Sequence, residues 1–394
     1  MNLHSALGIL FKHNYKRITE KIFLKDAIGR TLSKPLTISK NIPEFDTSSM
    51  DGFAVKKLSL GKIKRFRVLG ETPAGTETEY TIKSSECVRV YTGSKMPKNA
   101  DFVVIQENTW IKGDFMYVDT FDNEIRHVRK KGLDFNKGQV IAHPMIIDYK
   151  LISALASLNL EKVTVIKKPK VYIIPTGNEV LALGSNPRKN SIYSSSSYGI
   201  KSLLEAEGAE ATIAPVCRDE LSDITSALEN SKHSQVIITL GGVSKGNYDL
   251  IRKHYGKLGI KILVDGINIR PGKPIIIGKL GNKLIFCLPG NPISSIVCTR
   301  LFIVTLIRKM LGRNQKKLNT RKALVFQDIK VPKSEREHYM RAHTFQEGTT
   351  QYVKPFSRQD SSLHSILIKS NCLLVLPPYS SSPKKGDVAE IIDF

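Results

Sequence analysis

Five apolar runs between residues 171 and 290 most constrain the fold of this chain. The runs VYIIP, ATIAPV, QVIITL, IKILV and KLIFCLPG show no polar alternation. Segments with helical spacing separate or follow them, near residues 196–207, 219–231, 247–258 and 292–311. Strands buried on both faces and separated by helices are typical of a parallel sheet that helices cover on both sides. The pattern therefore predicts a doubly wound α/β domain over residues 169–317.

The sequence on either side of this domain has a different pattern of apolar and turn residues. Residues 46–140 contain short β-rich runs such as RFRVLG and DFVVIQE, separated by turns rich in Gly, Asp, Asn and Lys. Helical spacing precedes these runs at the N-terminus and returns at 146–158. We therefore expect a split helical domain, residues 1–45 with 141–168, that carries an inserted β domain. Short β-like runs predict a C-terminal β-barrel over residues 318–394, so the expected fold class is multidomain α/β plus β.

Composition excludes several classes of protein. Lys and Arg number 60 against 36 Asp and Glu, a net charge of +24. The excess is spread along the chain, there is one Trp, and no recognition motif is evident, so a nucleic-acid binder is disfavoured. Five cysteines are an odd number and form no CxxC pair, which argues against a disulfide framework and a zinc finger.

Membrane association is also disfavoured. The apolar run at the N-terminus ends at Lys12 and lacks the features of a signal peptide. The longest uncharged stretch, residues 284–299, is interrupted by LPGNP and is too short to span a bilayer. We expect a cytoplasmic protein.

Three loops of the α/β domain have the composition of a ligand site. PTGNEV (175–180), GGVSKGNYD (241–249) and LPGNP (288–292) each follow an apolar run, and in an open parallel sheet ligands bind at the carboxyl ends of the strands. Each loop alone fits a simple tight turn equally well; together they predict a pocket. A Walker loop and a GxGxxG motif are absent from the sequence, which disfavours an ATPase or a dinucleotide enzyme. The candidate ligand contacts in these loops are Thr176, Gly177, Gly241, Gly242, Ser244, Pro289, Gly290 and Asn291.

Charged residues in loops suggest a phosphorylated ligand and a divalent cation. A carboxylate beside a phosphate repels it unless a cation such as Mg²⁺ lies between them. Arg270 and Lys273, in the constrained turn NIRPGKP, are candidates for anion contacts. For Asp51 and Asp134, capping of turns is the alternative role. The candidate carboxylates are Asp51, Asp134, Glu179, Asp219 and Asp249.

Seven motifs together resemble one known family. The segments FDTSSMDGFAV, YTGSKMP, KKGLDFNKG, PTGNEV, GGVSKGNYD, RPGKP and LPGNP occur in the order and approximate spacing of the molybdopterin molybdenumtransferase family. The resemblance covers nearly the whole chain. It implies a homodimer in which the split helical domain serves dimerisation and the α/β domain binds molybdopterin.

The resemblance also implies a reaction. Proteins of this kind insert molybdate into adenylylated molybdopterin with Mg²⁺ and release AMP and molybdenum cofactor. Adenylylated molybdopterin would come from a separate adenylyltransferase, and apo molybdoenzymes would receive the product. The active site would lie between two subunits, so a monomer should be inactive.

Residue roles follow from the resemblance, position by position. Asp51, Glu179 and Asp134 are the expected catalytic residues, with Asp51 and Glu179 as Mg²⁺ ligands. Thr92, Arg341 in HYMRA and Ser361 in RQDSSL join the loop residues, Asp219, Asp249, Arg270 and Lys273 as expected substrate contacts.

This chain departs from the family pattern at four places. Ser194, Ser195 and Ser196 stand where the family usually has Asp or Asn, Ser and Asn, and Gly266 stands where some members carry a lysine. Leu133 replaces a frequent Glu, and Phe53 a frequent Tyr. These departures leave open an alternative, a catalytically impaired pterin-binding or scaffolding protein of the same fold.

Overall fold

A computed structural model describes residues 1–13, 15–76, 79–141, 145–242, 250–313 and 318–394. Contacts divide the chain into two compact units. The larger unit comprises Met1–Ser33, Pro144–Asp148 and Val163–Phe394, and the smaller unit comprises Lys34–His143 and Tyr149–Lys162. This division does not test the four domain boundaries expected from the sequence, which stay a prediction.

The described residues form eight α-helices. They are α1 (Leu3–Lys12), α2 (Tyr149–Ser157), α3 (Ser195–Ala206), α4 (Leu221–Asn230), α5 (Leu250–His254), α6 (Pro292–Cys298), α7 (Val304–Met310) and α8 (His364–Lys369). A π-helical turn, Thr299–Ile303, joins α6 to α7, so residues 292–310 form one continuous helix as the sequence predicts. Within the described ranges, no helix is both long and apolar enough to cross a bilayer.

The strands of the described residues fall into two groups by position in the chain. Those up to residue 166 are β1 (Thr19–Phe23), β2 (Leu36–Thr37), β3 (Thr47–Ser48), β4 (Gly52–Val55), β5 (Arg65–Thr72), β6 (Glu86–Val90), β7 (Phe102–Ile105), β8 (Thr109–Lys112), β9 (Phe115–Val118), β10 (Val128–Arg129), β11 (Val140–Ile141) and β12 (Lys162–Ile166). Those that follow are β13 (Lys170–Pro175), β14 (Val180–Leu181), β15 (Ile192–Tyr193), β16 (Glu210–Ile213), β17 (Val236–Leu240), β18 (Ile260–Asp265), β19 (Ile269–Arg270), β20 (Ile276–Leu280), β21 (Lys283–Leu288), β22 (Arg321–Val325), β23 (Glu337–Glu347), β24 (Thr350–Pro355), β25 (Cys372–Leu376) and β26 (Val388–Asp393).

A six-stranded sheet forms the centre of the larger unit, in the order β16-β13-β17-β21-β20-β18. Adjacent side chains along β17 point to opposite faces of the sheet. Val236 and Ile238 join a core with α1, α3 and the α6–α7 helix, whereas Ile237 joins a second core with α4 and α5. Helices therefore cover both faces, which explains why the strand sequences are apolar throughout.

The sheet is mixed rather than purely parallel. Strands β16, β13, β17 and β21 pair in parallel, as the apolar runs predict. Strand β20 instead runs antiparallel to both β21 and β18. It forms a hairpin with β21 around Gly281, whose φ of +58° suits glycine. The expectation of an all-parallel sheet is wrong at this strand.

Helix α1 contributes to the core of the central sheet. Its buried residues Leu3, Ala6, Leu7 and Leu10 recur with helical spacing and pack in the same core as the α6–α7 helix. Asn2 caps the helix, because its Oδ1 accepts a hydrogen bond of 2.8 Å from Ser5 N.

The C-terminal strands close into a barrel. Pairing runs from β22 through β24, β23, β25 and β26 back to β22, a closed five-stranded barrel. The prediction of a barrel is confirmed. Its longest strand, β23, lies outside the four β-like runs that predict the barrel, ALVFQDI, QYVKPF, CLLVLP and DVAEII.

The smaller unit contains a six-stranded sheet of its own, in the order β7-β4-β6-β5-β9-β8. Phe53, Phe66, Phe102 and Met116 fill its core. Helix α2 belongs to this unit. The segment 46–140 thus carries the β structure that its short runs indicate.

Candidate functional site

A cavity of about 800 Å³ lies at the carboxyl edge of the central sheet. Residues from all three predicted loops line it, together with the start of α3 and two residues of the C-terminal region. Nine of the predicted site residues are on its wall: Thr176, Gly177, Glu179, Asp219, Gly241, Gly242, Pro289, Gly290 and Asn291.

The three loops approach each other closely because two of the residues at which they touch, Gly241 and Gly290, are glycines. Thr176 donates through N and through Oγ1 to the carbonyl of Leu240, at 3.0 Å in each case. A Cβ on Gly241 would lie 2.8 Å from Thr176 Oγ1, and the φ of Gly241 is +106°. Gly290 lies beside Gly241 with more room, since a Cβ at 290 would lie 3.8 Å from Gly241 Cα, an ordinary van der Waals contact. Glycine at 241 is therefore required for this approach.

Two carboxylates lie on the cavity wall. Asn178 and Asp219 hold each other: Asn178 N donates to Asp219 Oδ2 at 3.3 Å, and Asp219 N donates to Asn178 Oδ1 at 3.2 Å. Glu179 follows directly and is exposed to the cavity. Mg²⁺ is commonly held by one or two carboxylates together with substrate phosphates, and this donor set fits that pattern. The described residues contain no group of three or more metal-ligating side chains.

The serine triplet lies at the amino end of α3, inside the cavity. Ser194 is turned toward the helix, where its Oγ lies 2.8 Å from Ser197 Oγ. Ser195 instead contacts His364, with 3.2 Å between Ser195 Oγ and His364 Nε2. His364 is the first residue of α8 and also lines the cavity. A residue of the C-terminal region thus completes the wall at the point where this chain departs from the family.

A second helix begins at the cavity. Asn291 is the N-cap of α6, and its side chain makes no capping hydrogen bond. The Asn291 amide is thus not committed to the helix. The amino ends of α3 and α6 both favour negative charge, which suits a cavity for a phosphorylated ligand.

Arg341 is buried, with 2% of its surface exposed. Its guanidinium donates to the carbonyl of Asp360 at 2.7 Å and to Gln359 Oε1 at 3.3 Å. Burial lowers the pKa of Arg341. This residue is outside the cavity lining and supports the loop that precedes α8.

Ser361 also serves the structure of that loop. Its carbonyl accepts a hydrogen bond of 3.0 Å from Ile293 N at the start of α6. The neighbouring Ser362 lines the cavity, and Ser361 does not. The residue of the RQDSSL motif that lines the cavity is therefore Ser362 rather than Ser361.

The predicted anion-binding cations are not on the cavity wall either. Lys273 is exposed, and its neighbour Pro274 lines the cavity. Arg270 pairs with His338 across β19 and β23 and lines a narrow pocket with Arg336. Burial and these arginines lower the pKa of His338 to about 4.

Asp51, Thr92 and Asp134 belong to the smaller unit. Asp51 Oδ1 accepts from Thr92 N at 2.7 Å and from Thr92 Oγ1 at 3.0 Å. These bonds hold the pKa of Asp51 below its usual range. Asp134 is exposed, and its backbone N–H donates to the carbonyl of Ile42 at 3.0 Å. The structure thus brings Asp51 and Thr92 together.

Two predicted residues, Ser244 and Asp249, lie outside the described residues. The lining residues that were not predicted include Ile192, Tyr193, Pro274, Ser362 and His364. Pro274 and Ser362 directly follow the predicted residues Lys273 and Ser361, and this adjacency is the only sequence feature that points to them. No sequence pattern connects His364 with the serine triplet, because their contact depends on how the C-terminal loop folds.

Comparison with known proteins gives matches along nearly the whole chain. The family models described as MoeA N-terminal region (domain I and II), probable molybdopterin binding domain and MoeA C-terminal region (domain IV) match residues 1–159, 172–309 and 328–394. The molybdopterin molybdenumtransferase of Haemophilus influenzae is 28% identical over 95% of this chain and 94% of that protein. The protein of that name from Nostoc sp. is 29% identical over 75% of this chain and 70% of its own length.

Solved structures agree with these matches. Two crystal structures of a molybdopterin biosynthesis MoeA protein from Pyrococcus horikoshii are similar to the whole chain, with TM-scores of 0.86 and 0.83 at 25% and 26% identity. The match with this chain extends over 98% and 100% of the lengths of those two structures. The central sheet with its glycine-lined cavity lies in the region matched by the model described as probable molybdopterin binding domain, and the C-terminal strands close into a barrel. The chain belongs to the molybdopterin molybdenumtransferase family.

Proposed function

We propose that this chain is a molybdopterin molybdenumtransferase that inserts molybdate into adenylylated molybdopterin and releases AMP and molybdenum cofactor. Membership of the family makes the chain an enzyme of molybdenum cofactor biosynthesis. The detailed reaction rests on one observation above all: three loops far apart in the sequence form one cavity, with nine of the residues expected at the site. Backbone N–H groups and helix amino ends there suit phosphates and oxyanions.

We propose Glu179 and Asp219 as carboxylates that hold Mg²⁺ in the larger unit. Both line the cavity. When bound, Mg²⁺ would neutralise the phosphate charge beside these carboxylates. Asp51 remains a proposed further ligand, on the basis of the family resemblance alone. Activity should disappear with chelation by EDTA and return with added Mg²⁺.

The test of this function uses the purified protein with adenylylated molybdopterin, molybdate and Mg²⁺. We expect release of AMP together with a product that activates an apo molybdoenzyme. Glu179→Ala should abolish AMP release, whereas Glu347→Ala, at an exposed carboxylate in β23, should not change it. Binding of the substrate without AMP release by the wild-type protein would contradict this function and favour the scaffolding alternative.

We also propose a homodimer whose active sites lie between subunits, as the resemblance implies. Mixed dimers give a direct test. If Asp51 of one subunit acts with Glu179 of the other, equal amounts of Asp51→Asn and Glu179→Ala proteins, after subunit exchange, should recover about one quarter of the wild-type activity, because half of the dimers then carry one intact site of two. No recovery would mean that both residues act within one subunit.

The supply of substrate and the fate of product belong to the same proposal. A separate adenylyltransferase would provide adenylylated molybdopterin, and apo molybdoenzymes would accept the cofactor. The cytoplasmic location expected from the sequence stays a prediction.

A further inference from the structure

A second pocket lies in the larger unit at the opposite edge of the central sheet. Its volume is about 260 Å³. Residues just before the amino ends of β13 and β17 line it, including Pro169 and Gln235, whereas the candidate active site begins at Pro175 at the carboxyl end of β13. Six residues of extended strand separate the two places by about 17 Å.

The pocket is held by backbone pairing. Lys167 N donates to the carbonyl of Ile18 at 2.8 Å, which joins the segment before β1 to the segment after β12. Gln235 fixes the start of the sheet: its N–H donates to Lys170 O, and its Oε1 accepts from Lys170 N, both at 2.9 Å. Two main-chain hydrogen bonds and one to the Gln235 side chain thus fix the backbone segments around the pocket.

The rim of the pocket is cationic. Lys16, Arg17, Lys167, Lys168, Lys170 and His233 line it, with no carboxylate among the lining residues. Lys170 has a counter-ion, because its Nζ lies 3.3 Å from Glu210 Oε1. In the described part of the chain, no ion pair is formed by Lys16, Arg17, Lys167 or Lys168. Positive charges collected in a concave surface raise the local concentration of anions.

The floor of the pocket is aromatic and apolar. Tyr15, Ile166 and Met310 lie there, and Ile166 and Met310 are almost fully buried. Lys309 Nζ lies 5.7 Å from the centroid of the Tyr15 ring. Lys309 is not among the lining residues, but burial and the neighbouring Arg17 lower its pKa. An anion beside Arg17 would therefore also reduce the repulsion between Arg17 and Lys309.

We propose that this pocket binds a phosphorylated small molecule with a planar or apolar group, such as a mononucleotide. The cationic rim would contact the phosphates, and the Tyr15 floor would contact the planar part. The active site at the carboxyl edge is not part of this pocket, so this inference does not depend on the proposed reaction.

Fluorescence anisotropy with MANT-ADP tests the proposal. The full-length protein should bind this probe saturably, and the double variant Lys167→Glu with Lys168→Glu should weaken binding by about tenfold or more, since charge-assisted contacts to phosphate are lost. Lys330→Glu with Lys333→Glu is the matched control. It changes the net charge equally at exposed lysines of the C-terminal region and should change the affinity less than about twofold.

A cavity-filling variant separates the two sites. In Gly290→Leu the new Cβ would meet nothing nearer than Gly241 Cα at 3.8 Å, so the side chain fills the active-site cavity without a clash of its Cβ. Probe binding should survive this substitution. Loss of binding in Gly290→Leu with retention in the double variant would show that the probe binds only in the active site, which overturns the second site and leaves the proposed function intact.

Competition defines the ligand class. AMP should displace the probe better than inorganic pyrophosphate, because only AMP carries a planar group for the floor. The double variant should keep the wild-type rate of AMP release in the molybdenum-insertion assay. Equal weakening by both lysine pairs, or displacement by an acidic peptide but not by AMP, would contradict the proposal.

Discussion

Both hydrogen-bond donors of Thr92 converge on one oxygen of Asp51. The Thr92 backbone N–H lies 2.7 Å and its hydroxyl 3.0 Å from Asp51 Oδ1. Two donors on one oxygen fix the carboxylate and stabilise its charged form. In the described residues, no donor contacts Oδ2, which leaves this oxygen for a ligand.

Removal of the Thr92 hydroxyl should move the pKa of Asp51 upward. Thr92→Val keeps the backbone donor and deletes the side-chain donor, so the pKa should rise part of the way toward its usual value. Thr92→Ser retains a hydroxyl and is the control. NMR titration of the Asp51 carboxyl carbon measures the shift, and an identical titration in wild type and Thr92→Val would contradict this explanation.

The same pair predicts a pH effect on stability. Because the folded-state pKa of Asp51 is lowered, the stabilisation is present above the unfolded-state pKa and is lost as the pH falls through the folded-state pKa. The difference in unfolding free energy between wild type and Thr92→Val should therefore be larger at pH 7 than at pH 2. Denaturant titrations at the two pH values measure it.

Ser195 and His364 should act as a pair in ligand binding. Their side chains are 3.2 Å apart on the cavity wall, and neither is in the hydrophobic core. Measured in the Lys167→Glu, Lys168→Glu background, which removes the contribution of the second pocket, Ser195→Ala and His364→Ala should each weaken AMP binding about two- to tenfold, the range for one hydrogen bond. Thermal unfolding should change little.

A double-mutant cycle distinguishes a pair from two separate contacts. If the two side chains act together, the double variant should lose less affinity than the sum of the single losses. Ser191→Ala is the control, because the Ser191 hydroxyl hydrogen-bonds Arg188 O at 2.6 Å and is outside the cavity lining. Additive losses in the cycle would argue against the pair.

Arg341 should matter for stability more than for direct contact with substrate. Its forked donors hold Gln359 and Asp360 from a buried position. Lysine cannot reproduce this geometry, so Arg341→Lys should cost about 2–4 kcal/mol of unfolding free energy, because buried acceptors lose their donors. Equilibrium unfolding measures this cost. A variant that keeps wild-type stability but loses molybdate or AMP binding would instead support the direct role that the sequence suggested.

The sequence predicted the parts of the fold that depend on burial. Strands β13, β17 and β21 are largely buried on both faces, so their sequences are mostly apolar. Strand β23 was missed because Glu337, His338, Arg341 and His343 interrupt its apolar pattern. Which residues of β23 face the barrel interior is decided only when the barrel closes, and closure depends on tertiary structure.

The candidate site was predictable where one rule of topology applies. Loops after parallel strands meet at one edge, and Thr176, Gly241 and Gly290 do meet there. Arg341 illustrates the limit, since a motif fixes a position along the chain but not the direction of its side chain. His364 shows the converse, because a loop from the C-terminal region brings it to Ser195.

His338 should make the protein less stable in mild acid. Burial, then Arg270, Arg336 and Arg341, lower its pKa from 6.5 to about 4. The folded protein therefore keeps this histidine neutral at pH values where the unfolded chain already binds a proton. The resulting stabilisation is fully present above pH 6.5 and is lost as the pH falls toward 4, an effect of about 3 kcal/mol at one pKa unit per 1.36 kcal/mol. In His338→Gln this titration is absent, so the unfolding free energy should fall less between pH 7 and pH 4 than in wild type.

His4→Gln, at an exposed position in α1, should follow the wild-type curve, because carboxylates titrate alike in both proteins. Parallel curves for His338→Gln and wild type would show that His338 does not carry the effect.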